Sequence, residues 1–226
     1  MPTLEQAQAW YPTPDPVHGF DHILRVYHLA ERLARAEGAD EQIVCAAALL
    51  HDAEGQPSAA SDGSSPVAGD ASLQNIARQN HHHASAEFAR CILEAEGWPA
   101  ERIAAVEHCI RAHRFRHRLE EPQTLEAQVL FDADKLDAIG AIGVARAVAF
   151  AARKGLPAYA PPSQLFLRTG QMEAGELHSA YHEYLFKLVK LKESLYTQTA
   201  RRLAEDRHRR MAEFFDQLVA ETDGRS

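Results

Sequence analysis

Apolar residues recur three and four positions apart along almost the whole chain, as in Ile23, Val26, Tyr27, Ala30 and Leu33. That is the spacing of one face of an α-helix. No strand-length segment of alternating apolar and polar residues, bounded by turn residues, stands beside it. An all-α fold is therefore expected. The pattern predicts helices at about 20–37, 40–52, 81–96, 100–113, 124–153 and, with a break, 173–217, punctuated at Asp15 to Gly19, Gly38 to Asp40 and Gly97 to Pro99.

Between the second and third of these, residues 55–79 are rich in Ser, Ala, Gly, Pro and Asp and read as a long loop, a candidate lid. A second loop at 155–170 carries Pro157, Pro161 and Pro162. Beyond it, Leu185, Leu188, Leu191 and Leu195, then Leu203, Met211, Phe214 and Leu218, form an apolar stripe. It reads as a C-terminal helical segment packed on the core, with a homodimer seam as the alternative, although strict heptads are not sustained. A single domain is expected, with its core at about 18–153.

Composition narrows the partners. The 226 residues are 46% hydrophobic and 25% charged, and 24 basic against 32 acidic side chains leave a net charge of −8. A broad surface for DNA or RNA is not expected at that balance. The longest apolar run, Ile43 to Leu50, is far below the roughly 18 residues of a membrane span. The first residues lack the charged and apolar regions of a signal peptide. A cytoplasmic protein is the expectation. Cys45, Cys91 and Cys109 form no close pair and read as reduced packing residues.

Thirteen histidines are many for this length, and their placement says more than their number. The apolar run from Ile43 ends in His51 and Asp52, so a buried helix delivers an imidazole and a carboxylate side by side. A carboxylate leaving water needs a partner, and a divalent cation is the simplest one. His22 sits on an amphipathic helix whose core side is set by Ile23 and Val26, and Asp134 lies in an acidic cluster within an apolar helix. Gly140 and Gly143, farther along that helix, would allow close helix contact. Two imidazoles and two carboxylates make a mixed nitrogen and oxygen site suited to Mn, Mg, Co, Fe(II) or Zn. Positions left open to water make such a site catalytic.

The order His22, His51–Asp52, Asp134 resembles the H…HD…D signature of the HD-domain metal-dependent phosphohydrolases. The segments HILRVYHLA, AALLHDAEG, HHHASAEFARCIL, IRAHRFR, DADKLDAIGAIGVARA and the C-terminal tail extend the resemblance over nearly the whole chain. It implies an HD-domain helical bundle in which His22, His51, Asp52 and Asp134 hold one divalent cation. Asp134 is chosen over its neighbours because it falls at the A-D-[KR]-L position; Asp137 then faces the same pocket and Asp132 orients a ligand. Binuclear members carry ligands at points comparable to His81 and His113, so these two are candidates for a second metal or for phosphate contact. In that register His82 and His83 are solvated neighbours. Related enzymes often carry an acid shortly after the HD pair, which makes Glu54 the candidate general base beside Asp52.

Phosphate needs cations, and Arg25, Lys135 and the run Arg111, Arg114, Arg116 and Arg118 lie next to the proposed ligands. The expected activity is hydrolysis of a phosphate ester or anhydride, with a nucleotide as the first choice of substrate. Two other classes stay open: an HD-type di-iron oxygenase, and a non-catalytic metal-binding signalling module.

Overall fold

The computed structural model describes residues 1–12, 15, 17, 19–53, 71–114 and 120–225, with the backbone alone over 71–81. Its elements are ten α-helices and one 3-10 helix, and no strand occurs among the described residues. None of these helices is long and apolar enough to cross a membrane. The chain divides into two compact units, one of Met1–Pro14 with His18–Phe131 and one of Asp15–Val17 with Asp132–Ser226.

In the first unit α1 (Leu4–Ala9), α2 (Phe20–Glu37), α3 (Glu41–Leu50), α4 (Ala71–Ala95) and α5 (Ala100–Ala112) precede the start of α6 (Leu125–Asp137). The central element is α3, which packs against α1, α2, α4 and α5. All eight residues from Ile43 to Leu50 are buried, as an unbroken apolar run requires. Its start is fixed chemically. Asp40 accepts from the backbone N–H of Gln42 at 3.0 Å and Ile43 at 3.1 Å, and Arg102 clamps both Asp40 oxygens at 2.8 and 3.0 Å. The helix before it stops at Gly38, whose φ of +80° lets its N–H return to the Ala34 carbonyl at 2.9 Å.

In the second unit the end of α6 is followed by α7 (Gly140–Arg153), α8 (Gln164–Thr169), α9 (Ala180–Phe186), a 3-10 helix (Leu188–Ser194) and α10 (Gln198–Thr222). Tyr184 stacks on Phe215 with ring centroids 4.4 Å apart, over a core that includes Phe166, Leu188, Leu191, Leu195 and Met211.

Several boundaries differ from the sequence reading. Residues 71–79, read as loop, belong to α4; Ala, Leu, Gln and Arg there favour helix and neither Gly nor Pro interrupts them. The remainder of that loop, 55–70, lies outside the described residues. The helix expected over 124–153 is two helices, because Gly140 adopts a φ of +78° and begins α7 anew. The expected loop at 155–170 contains α8, capped by the Ser163 hydroxyl. The stripe is carried by three elements, and Phe215, fully buried, takes the inward place expected of Phe214, which is 41% exposed. Cys45 and Cys109 are buried, and burial raises both thiols, Cys45 to about 11; Cys91 is exposed, so packing does not account for it.

The connection into α9 is organised by Glu176. Its carboxylate accepts from the backbone N–H of Ser163 and Glu173, both at 2.7 Å, from Ser163 Oγ at 2.8 Å and from His182 Nε2 at 3.1 Å. Burial pushes this carboxyl up, but the four donors outweigh it and hold it down to about 2. A folded-state value below the ordinary 4.5 means that the stabilisation is complete above about 4.5 and fades as pH falls towards 2. Glu176→Gln is expected to flatten this acid limb, read as urea midpoints measured from pH 6 to pH 3. Equal slopes in the two proteins would show that Glu176 is not the group responsible.

Candidate metal centre

Three helices of the first unit bring imidazoles to one carboxylate. The buried face of α2, formed by Ile23, Val26, Ala30 and Leu33, continues through His22, which is 1% exposed. His51 follows the last residue of α3 and His113 the last residue of α5, each at the cap position. The two caps are built alike. His51 Nδ1–H donates to the Ala48 carbonyl at 2.8 Å and His113 Nδ1–H to the Ile110 carbonyl at 2.5 Å, so each ring satisfies a carbonyl that the helix end leaves without an amide. With the proton on Nδ1, the Nε2 lone pair of each neutral ring points away from its helix.

Those lone pairs face Asp52. His22 Nε2 lies 3.9 Å and His51 Nε2 3.7 Å from Asp52 Oδ2, and His113 Nε2 lies 3.7 Å from Oδ1. The His51 ring is edge-on to His22 and to His113, at centroid separations of 5.5 and 5.2 Å. His51 Nε2 is fully buried and has no hydrogen-bond partner among the described residues. A buried polar atom of that kind calls for an explanation. The separations exceed a hydrogen bond, yet suit atoms that share a cation. At bond lengths of about 2.1 Å, neighbouring ligands of a cation sit roughly 3 to 3.5 Å apart. Ligand atoms of His22, His51 and Asp52 all fall within 4.8 Å of one another.

The turn that carries Asp52 is held by a residue the sequence reading did not single out. Tyr11 Oη donates to the Leu49 carbonyl at 2.9 Å, and Tyr11 packs with Trp10, Phe20 and Tyr27 against Ala7, Ile23 and Leu49. Burial and the nearby Asp52 charge both raise its phenol well above 10. The adjacent aromatics Trp10 and Tyr11 were the available signal.

The other expected residues fall as follows. Asp134 and Lys135 lie in the part of α6 that belongs to the second unit, where Lys135 Nζ donates to Asp134 Oδ2 at 2.5 Å. Asp137 is buried and pairs with Arg146 at 2.7 Å. Asp132 is buried on the N-terminus of α10, accepting from Tyr196 N, Thr197 N and Thr197 Oγ1. Its two oxygens serve that helix start, so the ligand-orienting role expected of it is replaced by a capping one. On α2, Arg25 pairs with Asp21 at 2.6 Å. Glu54, Arg116, Arg118 and the side chain of His81 lie outside the described residues. His82, expected in solvent, is 5% exposed, while His83 is exposed.

The model of the HD domain family matches residues 19–139. The uncharacterized protein YpgQ of Bacillus subtilis is 34% identical over 210 residues, 92% of this chain and 85% of that protein. The crystal structure of Bacillus subtilis YpgQ in complex with ADP is similar at a TM-score of 0.65 and 31% identity, covering 99% of this chain and 100% of that one. A HD-superfamily hydrolase from Bacillus thuringiensis has a TM-score of 0.67 at 27% identity, covering 97% and 94%.

Proposed function

The chain belongs to the HD domain family, and from that premise we propose that it is a metal-dependent phosphohydrolase that cleaves a phosphate ester or anhydride of a nucleotide or related small metabolite. The observation that carries this reading is the buried His51 Nε2, which faces Asp52 and has no hydrogen-bond partner among the described residues. His22, His51 and Asp52 would hold the cation, with Asp134 as the fourth ligand on the strength of the H…HD…D order. A divalent cation held there would supply Lewis acidity for activating water and polarising a phosphoryl oxygen.

The chain's own groups do the rest. The Ala48 carbonyl accepts from His51 Nδ1–H and so fixes the tautomer in which Nε2 offers a lone pair. Asp52 offers its second oxygen towards His113, which supports His113 as a second-metal or phosphate contact; His81 is proposed beside it on the resemblance alone. Arg25 and Lys135 are the proposed cations for substrate phosphate, and Glu54 the proposed general base. The ADP held by YpgQ supports a nucleotide as the substrate class.

The test is release of phosphate and pyrophosphate from a panel of nucleotides and simple phosphoesters. Metal-stripped protein is re-supplied separately with Mn, Mg, Co, Fe(II) or Zn, beside His51→Ala. Metal-dependent release that vanishes in the variant is expected. Stoichiometric bound metal with no release under any condition overturns the reading. A redox-active iron pair would then favour an oxygenase, and an inert metal a binding module.

A further inference from the structure

An α-helix ends in carbonyls that no amide of its own ladder reaches. At the end of α3 three of them are met, each by a different kind of donor. His51 Nδ1–H donates to the Ala48 carbonyl at 2.8 Å and the Ala53 backbone N–H to that of Leu50 at 3.2 Å. The Leu49 carbonyl between them is met from far outside the helix, by Tyr11 Oη at 2.9 Å. The Asp52 backbone N–H is turned towards the same phenol oxygen. One hydroxyl therefore ties the last turn of α3 to the stretch that carries the HD pair.

The ring that delivers this hydroxyl is itself held in place. Tyr11 lies with Trp10, Phe20 and Tyr27 on the buried Ala7, Ile23 and Leu49, with its ring centroid 6.2 Å from that of Phe20, and Trp10 stands edge-on to Phe88 of α4 at 5.5 Å. The helix proper stops at Leu50, so His51, Asp52 and Ala53 are placed by capping bonds rather than by a helical ladder. Metal ligands must meet their distances to within about 0.2 Å. A turn that spends part of its time in other arrangements binds a cation more weakly by that fraction.

We propose that the Tyr11 hydroxyl is a positioning group for the metal centre, holding residues 49–53 in the geometry that presents His51 and Asp52 to a divalent cation. It acts through those two residues and touches neither cation nor substrate. The inference rests on the metal-centre part of the reading above and is independent of the reaction. The competing account makes the hydroxyl a structural bond alone, equally present with and without metal. That account lowers thermal stability and leaves metal affinity unchanged, because an interaction common to both states cancels.

The experiment is a chelator-competition titration of the metal-stripped full chain with Mn and with Zn, beside backbone hydrogen exchange of the same samples. Tyr11→Phe, which keeps the ring and deletes the hydroxyl, is expected to weaken metal binding by about 3- to 10-fold, the worth of one neutral hydrogen bond. In the metal-free variant the amides of residues 51–53 should exchange faster by a similar factor, while those of residues 44–47 in the middle of α3 keep the wild-type rate. Saturating metal should restore both the exchange rates and kcat, with the metal concentration for half-maximal rate raised by the same factor as the dissociation constant. Tyr27→Phe is the control. It removes a hydroxyl from the same aromatic cluster, one that faces the Cys45 thiol rather than the turn, and should bind metal as the wild type does.

Wild-type metal affinity in Tyr11→Phe overturns the proposal, even if its Tm falls. An equal loss of affinity in Tyr27→Phe also overturns it, since the packing of the cluster and not this one bond would then be responsible. A wild type that binds metal with the expected dependence on Tyr11 yet releases no phosphate supports the positioning role and removes the phosphohydrolase reading, so the two failures are told apart. A wild type that takes up no divalent cation overturns both.

Discussion

Asp52→Ala is expected to lose bound metal and all metal-dependent phosphate release, while its helical circular dichroism stays within error of the wild type. Asp52 is the one side chain that every described imidazole of the centre faces, with Oδ2 towards His22 and His51 and Oδ1 towards His113. Removing even an outer partner of a metal ligand costs about 10- to 100-fold in affinity or activity. Loss of a ligand itself should therefore exceed about 100-fold in metal affinity. Catalysis should fall by at least about 1,000-fold, since the Lewis acid leaves with it.

The fold does not depend on this carboxylate in the same way. Asp52 stands beyond the end of α3 and is partly exposed, and the α3 start is held independently by Asp40 and Arg102. Metal content by mass spectrometry and a chelator-competition titration give the answer. Full metal content together with full activity in Asp52→Ala would remove the site assignment.

The parts of this molecule that sequence patterning could reach are those governed by period and burial. The run from Ile43 to Leu50 reads as buried helix because nothing polar interrupts it, and His51 and Asp52 read as a site because such a helix delivers them to its end. Gly140 was harder. A glycine in an apolar helical pattern suggests close helix contact, but this one is a backbone device with a left-handed φ, and a Cβ there would also meet Arg207 Cβ at 3.0 Å. That approach of α10 is the close helix contact expected at Gly140, whereas the neighbour of Gly143 is local: an added Cβ there would collide with the Ala138 carbonyl oxygen.

The triple histidine shows why register is the weak link. Residues 81, 82 and 83 differ by about 100° each around a helix, so an error of one position exchanges a buried ring for a solvated one. His82 is the buried one of the pair His82 and His83. The same one-position slip separates Phe214 from Phe215. The aromatic pair Trp10 and Tyr11 marks a packed site, but the partner of the Tyr11 hydroxyl was illegible for a different reason: it bonds across 38 positions of sequence to a carbonyl that no local pattern marks as needing a donor.

Asp132→Ala carries the largest expected loss of stability. The carboxylate is 0% exposed and accepts from the backbone N–H of Tyr196 at 2.9 Å and of Thr197 at 2.7 Å, and from Thr197 Oγ1 at 2.7 Å. Thr197 Oγ1 in turn accepts from Ala200 N at 3.3 Å, so one side chain organises the whole start of α10. Each buried donor left without an acceptor costs about 1–3 kcal/mol. Removing the carboxylate also relieves the desolvation that raises its pKa, so the net expectation is about 3 kcal/mol. In a chain of this length that corresponds to a fall in Tm of roughly 6–12 °C. Asp132→Asn keeps an acceptor oxygen and should lose less than half as much. The two variants separate capping from charge: if α10 needs only an acceptor, Asn rescues, and if it needs the negative charge at its N-terminus, Asn and Ala melt together. A wild-type Tm in Asp132→Ala would mean that the first turn of α10 is held by its packing alone, through Ala200, Ala204 and Met211.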